Sequence, residues 1–163
     1  MDLRQLVSRR LEAGRSETVP QARIVIGPIG VGKTTYRRTE LVTGFVHIDS
    51  ADIFHELSAG DATLDFPDAF QEIESIGREI TRAALEQRLN IVMETPGHEA
   101  ARMIELIDSL RAIGYEVQVV ALDADRETCE FRHANRGDSV SSYWAAPIHT
   151  WWVVSECRAL VTK

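Results

Sequence analysis

Apolar positions recur along the chain in two alternating rhythms. Short, β-branched runs stand at 22–26, 45–48, 90–93 and 115–122, each the length of a buried strand. Between them lie stretches with helical spacing. Residues 2–13 place Leu3, Leu6, Val7 and Leu11 on one face, with Asp2 as the N-cap. Residues 33–43 read as a helix stopped at Gly44. The longest pattern, 68–88, carries Ala69, Phe70, Ile73, Ile76, Ile80, Ala83, Ala84 and Leu85. Further helices are predicted at 99–113, stopped by Gly114, at 126–135, ahead of Gly137, and at 148–160. Segments 14–21 and 59–67 read as polar connections. Strands alternating with helices predict an α/β fold with right-handed crossovers around a central, mostly parallel sheet of about four to five strands. The expected organisation is one domain over 1–163, with 1–19 as an N-terminal helical extension.

Composition narrows the picture without naming a function. The 163 residues are 44% hydrophobic and 26% charged, ordinary for a globular protein with one sizeable core. A formal net charge of −7, with no basic run beyond Arg9-Arg10 and Arg37-Arg38, argues against nucleic acid or an acidic membrane as the main partner. Cys129 and Cys157 have no metal-ligand spacing, and a reducing compartment suits them. No apolar stretch approaches a membrane span, and the polar N-terminus lacks a signal peptide's apolar core, so a cytoplasmic location is expected. His47, His55, His98, His133 and His149 show no zinc-ligand spacing.

Candidate chemistry begins directly after the first strand. Gly27-Pro28-Ile29-Gly30-Val31-Gly32-Lys33-Thr34-Thr35 fits G-x-x-x-x-G-K-[ST], the phosphate-binding P-loop, between an apolar strand and a polar helix as that pattern requires. Glycines let backbone N–H groups approach a polyphosphate, and the following helix points its N-terminal dipole at it. Lys33 is placed to reach the β- and γ-phosphates, and the Thr34 hydroxyl to ligate Mg²⁺. No Asn-Lys-x-Asp occurs, so ATP rather than GTP is the expected nucleotide.

In open α/β sheets ligands sit at the carboxyl ends of the strands, which singles out polar residues just after each one. Asp49 and Asp52 follow the second strand. One of them is expected to cap the next helix, and at least one to act on a hydroxyl nucleophile, with Asp52 favoured. Glu94 and Thr95 end the third strand. A carboxylate there can hold a magnesium-bound water or a substrate hydroxyl, ahead of the break at Pro96-Gly97. Arg132 and Arg136, four apart, share a helical face beside Gly137-Asp138-Ser139; they read either as lid arginines that neutralise developing charge or as a solvated helix end. Trp144, Trp151 and Trp152 are expected to pack a C-terminal helix onto the sheet. The acceptor pocket is expected to draw on variable segments such as 56–68.

From Arg23 to Arg136 these motifs, in this order, resemble the zeta-toxin-like branch of the P-loop small-molecule kinases: the GxxGxGKTT loop, Ile48 to Asp52-Ile53-Phe54, Asn90 to Thr95, Gly114 to Val117 and the lid arginines. The resemblance implies a three-layer P-loop kinase fold, ATP and Mg²⁺, and transfer of phosphate to a small-molecule hydroxyl, in zeta toxins that of UDP-N-acetylglucosamine. It further implies Asp52 as base, Glu94 as substrate-side acid, Arg132 and Arg136 at the transition state, and an antitoxin protein as partner. Two residues separate Asp49 from Asp52 where family members often have one. The rival reading is an ATP-binding regulatory or partner-docking module without kinase activity.

Overall fold

The computed structural model describes residues 3–41, 43–59, 63–95 and 100–135. Its elements run α1 (Leu3–Glu12), β1 (Gln21–Ile26), α2 (Lys33–Glu40), β2 (Val46–Ile48), α3 (Ser50–Ser58), α4 (Phe66–Glu86), β3 (Ile91–Thr95), α5 (Ala100–Ala112), β4 (Glu116–Ala121) and α6 (Arg126–Ala134). The four strands form one sheet in the order β2-β3-β1-β4, and each described pairing is parallel. The predicted α/β class and parallel sheet are what the chain adopts.

Strand alternation divides the sheet into two chemically distinct faces. Ala22, Ile24 and Ile26 register with Ile91 and Met93 on one side and with Val117 and Val119 on the other, building one apolar face. That face joins Ile73, Ile76, Ile80 and Ala84 of α4 and Met103, Ile107 and Leu110 of α5 in a single core. Each fully buried isoleucine there contributes about 2 kcal/mol of transfer free energy. Leu6 and Val7 of α1 lie in the same core, so the N-terminal helix is packed against the domain. The opposite face carries His47 and Glu94, and both side chains meet Arg37 of α2.

Some boundaries differ from the periodicity. α4 starts at Phe66, with Asp65 accepting from the Phe66 N–H at 2.9 Å and Pro67 in the first turn, two residues before the expected start. Proline is tolerated there because the first N–H groups of a helix have no intrahelical partner. The connection from 14 to 21 is more than a polar linker: Gly14 bridges to Gly44, and the Asn90 N–H donates to the Arg15 carbonyl at 2.8 Å. Among the described residues, no helix is long and apolar enough to cross a membrane. The expected helix at 148–160, Trp144, Trp151, Trp152, Cys157 and Arg136 lie outside the described residues.

Candidate active site

The P-loop leaves the end of β1 and feeds directly into α2. Gly27, Gly30 and Gly32 all have positive φ, of 153°, 84° and 106°. Gly32 is the N-cap of α2 and supplies no side-chain cap, whereas α3, α4 and α6 are each capped by an aspartate, Asp49, Asp65 and Asp125. Gly32 itself offers the first N–H groups of α2 no side-chain acceptor, as suits a helix start that receives an anion. A Cβ at Gly32 would meet nothing nearer than Arg132 Nη1, at 3.9 Å, so the loop holds an open backbone cradle. Lys33 folds back over it, its Nζ donating to the Gly27 carbonyl at 2.8 Å and the Pro28 carbonyl at 3.1 Å.

Gly30 serves a different purpose. A Cβ there would stand 2.3 Å from the Cys129 carbonyl oxygen, because α6 packs directly on the loop. Gly30→Ala must therefore push α6 away while holding a residue at positive φ. The expected cost is at least about 2 kcal/mol, read as a lowered denaturant midpoint in equilibrium unfolding. This packing also places Arg132 over the loop, where Nη1 donates to the Gly30 and Val31 carbonyls at 3.4 Å each.

Two clefts flank the P-loop and share Gly30 and Gly32. The larger, of about 790 Å³, is walled by Lys33 and Thr34, by Asp49 at the end of β2, by Glu94 and Thr95 at the end of β3, and by α4 residues including Ile73, Gly77, Arg78 and Thr81. The smaller, of about 630 Å³, lies between α2 and α6, against Thr35, Tyr36, Thr39, Phe131, Arg132 and Asn135. Among the described residues, none from 56 to 68 lines the larger cleft. Its outer wall is α4, because the 3.6-residue repeat that buries Ile76 and Ile80 turns Gly77 and Thr81 towards the opening.

The two aspartates after β2 part company. Asp49 lines the larger cleft and caps α3, Oδ1 accepting from the Asp52 N–H at 2.9 Å. Burial pushes its carboxyl above the usual range, Glu94 and Asp52 push the same way, and these outweigh Arg37. Asp52, favoured from sequence, is absent from the cleft wall. It sits one helical turn on and points into a basic cluster, 2.8 Å from Arg37, 2.8 Å from Arg38 and 3.8 Å from Arg10. Burial works to raise its pKa, but hydrogen bonds and charge from Arg37 and Arg38 prevail and hold it below the usual range. Of the two, Asp49 is the one that lines the larger cleft, whereas Asp52 is held in the arginine cluster.

Glu94 joins the P-loop to the sheet. One of its oxygens accepts from the Thr34 hydroxyl at 3.0 Å and the other from Arg37 Nε. Arg37, with 1% of its side chain exposed, stands out in the sequence only as half of the Arg37-Arg38 pair. The signal that could have found it is its spacing, four residues after Lys33 and therefore on the same face of α2.

Comparison with known proteins places this geometry in a family. No curated protein sequence matches the chain. Among solved structures it is similar to a chain of the PezAT chromosomal toxin–antitoxin system of the human pathogen Streptococcus pneumoniae, with a TM-score of 0.66 and 18% identity over 86% of this chain and 64% of that one. It is similar to a chain of the AvrRxo1-ORF1:AvrRxo1-ORF2 complex with sulphate ions, with a TM-score of 0.76 and 13% identity over 98% of this chain and 57% of that one. A putative kinase from Chloroflexus aurantiacus gives a TM-score of 0.54 and 17% identity over 73% of this chain and 66% of that one. The chain thus spans about two thirds or less of the solved chains it matches, and at these identities what it shares with them is the fold. That fold is the P-loop kinase fold which the zeta-toxin-like motifs imply. Residues 23–152, most of the sequence, match the profile of the AAA domain, and the chain belongs to that family.

Proposed function

We propose that this protein is an ATP-dependent phosphotransferase that moves the γ-phosphoryl group of ATP to a hydroxyl of a small molecule. The observation that carries the reading is the uncapped start of α2, opening between two clefts beside Lys33, Asp49 and Glu94. The smaller cleft suits the nucleoside, whose base can stack on Phe131, which is 70% exposed at its rim. The triphosphate then runs over Gly30 and Gly32, with its γ-phosphate facing the larger cleft. At about 790 Å³ that cleft is of the size that holds a small metabolite.

In this reading Lys33 leaves the loop carbonyls for the β- and γ-phosphates, and Arg132 swings from the same loop to the charge that develops in transfer. Arg136, four residues on in the sequence, is the second arginine assigned to that charge. Asp49 takes the proton from the acceptor hydroxyl as its oxygen bonds to the γ-phosphorus and ADP departs. Glu94 and Thr95 orient the acceptor. The Thr34 hydroxyl donates its hydrogen to Glu94 and keeps its lone pairs for Mg²⁺, so the residues fit the metal. Bound there, Mg²⁺ would neutralise phosphate charge.

A UDP-amino sugar is the first acceptor to test, with the cytoplasm as the setting. The solved relatives include a complex with ATP and two-component assemblies, among them a toxin–antitoxin system, which supports looking for a protein partner as well. The experiment is incubation with γ-labelled ATP and a panel of UDP-sugars, nucleosides and aminoglycosides. A labelled product, absent with Lys33→Ala, is expected. Tight ATP binding with no transfer to any acceptor or to water would replace the kinase by the regulatory module.

A further inference from the structure

We infer that Arg37 is a positioning residue for this transfer, a buried guanidinium that holds Asp49 and Glu94 in place at the P-loop. The inference rests on the reading above of Asp49 as the base. Lys33 and Arg37 leave α2 on one face, Lys33 bending over the loop and Arg37 reaching the ends of β2 and β3. Nε donates to Glu94, whose second oxygen is held by Thr34 at 3.0 Å. Nη1 donates to Asp52 at 2.8 Å and to His47 Nδ1 at 2.6 Å. His47 Nε2 donates to the Leu41 carbonyl at 2.8 Å, so the ring is neutral and its Nδ1 accepts. Burial lowers the His47 pKa and favours this state.

The third nitrogen completes the argument. Nη2 is buried without a hydrogen-bond acceptor among the described residues, and it stands 3.7 Å from Asp49 Oδ1. A movement of Asp49 by less than about 1 Å would close a charge-assisted bond at normal length. A guanidinium buried among carboxylates brings little net stability, because desolvation offsets attraction. Its value here is geometric and electrostatic. Asp52 has Arg38 and Arg10 as further counter-charges, whereas Asp49 and Glu94 both pair with Arg37. The charged groups around Asp49 are Glu94 from β3, Asp52 from α3 and Arg37 from α2, with Lys33 on the same cleft wall. Burial and two like charges raise the Asp49 pKa, and Arg37 pulls the other way, towards the ionised form that can take a proton.

The test uses full-length Arg37→Met and Arg37→Lys. Calorimetry reads ATP affinity, Mg·ATP hydrolysis with water as acceptor is followed against pH, and carbon-13 NMR follows the aspartate carboxyls, with Asp49 assigned through Asp49→Asn. Both variants are expected to bind ATP within about threefold of the parent. Arg37→Met should lose at least about tenfold in turnover, with the acid limb and the Asp49 titration both displaced upward by about one pH unit. Arg37→Lys should fall between, since it keeps the charge and loses the fork. An unchanged Asp49 titration in Arg37→Met would overturn the inference, as would a loss of turnover equal at every pH. If Asp49→Asn hydrolyses ATP with the parent's acid limb, the base reading fails instead. The carboxyl titration, which needs no turnover, still decides Arg37.

Discussion

Lys33→Ala is expected to weaken ATP binding by about ten- to a hundredfold, the range for losing one charged hydrogen-bond donor. Turnover should fall further, by about a thousandfold or more, because charge on the transferring group is greatest in the transition state. The folded protein should change little. Nζ now bonds two loop carbonyls, of Gly27 and Pro28, and both can turn to water in the open cleft. Calorimetry with ATP, a thermal melt and a hydrolysis assay separate the three quantities. Parent-like ATP affinity in Lys33→Ala would remove the P-loop from the mechanism.

The second large effect separates the two aspartates. Asp49→Asn should lower transfer by about a hundred- to ten-thousandfold, the usual range for a general base, while ATP binding persists. Asparagine caps helices as well as aspartate, so the start of α3 is kept. Asp52→Asn should do the reverse. It leaves Arg37, buried to 1% exposure, together with Arg38 and Arg10, facing a neutral partner. Arg37 keeps Glu94 as a counter-charge, so the cost is that of the weakened charged hydrogen bonds, about 1.5–3 kcal/mol, read as a lowered denaturant midpoint. Normal transfer by Asp49→Asn would return the base to Asp52.

The pH dependence of stability has opposite signs at these residues. Asp52 has a folded pKa below its unfolded one, so its contribution is full above the unfolded value and is lost as pH falls through the folded value. Asp49 has a folded pKa above its unfolded one. It therefore lowers stability above its unfolded value, and that cost is relieved as pH falls through the raised value. Asp49→Asn is therefore expected to melt at or above the parent temperature at pH 7. Asp52→Asn should flatten the acid limb of the stability curve, measured by urea unfolding as pH falls through the carboxylate range.

Local patterns carried most of what was legible. The P-loop, the strand ends and the long α4 stripe are written in short-range spacing, because backbone approach to phosphate needs glycine and a buried helix face needs a 3.6-residue repeat. The start of α4 lies two residues before the one that periodicity predicts, since Pro67 serves a first turn as readily as a loop. The charge cluster was hidden for another reason. Arg37, His47, Asp49, Asp52 and Glu94 come from α2, β2, α3 and β3, and no spacing announces that a crossover will bring them together.

The sequence by itself determined the parallel α/β architecture, the phosphate-binding loop and the set of acids eligible to serve it. Periodicity and glycine placement act through the backbone within a few residues of each position. Only the tertiary structure decided which acid faces the cleft, that α4 forms its outer wall, and that Arg37 ties the carboxylates together. Asp49 and Asp52 are three residues apart and chemically identical. The helix cap turns one towards the P-loop, and three arginines from α1 and α2 hold the other away from it.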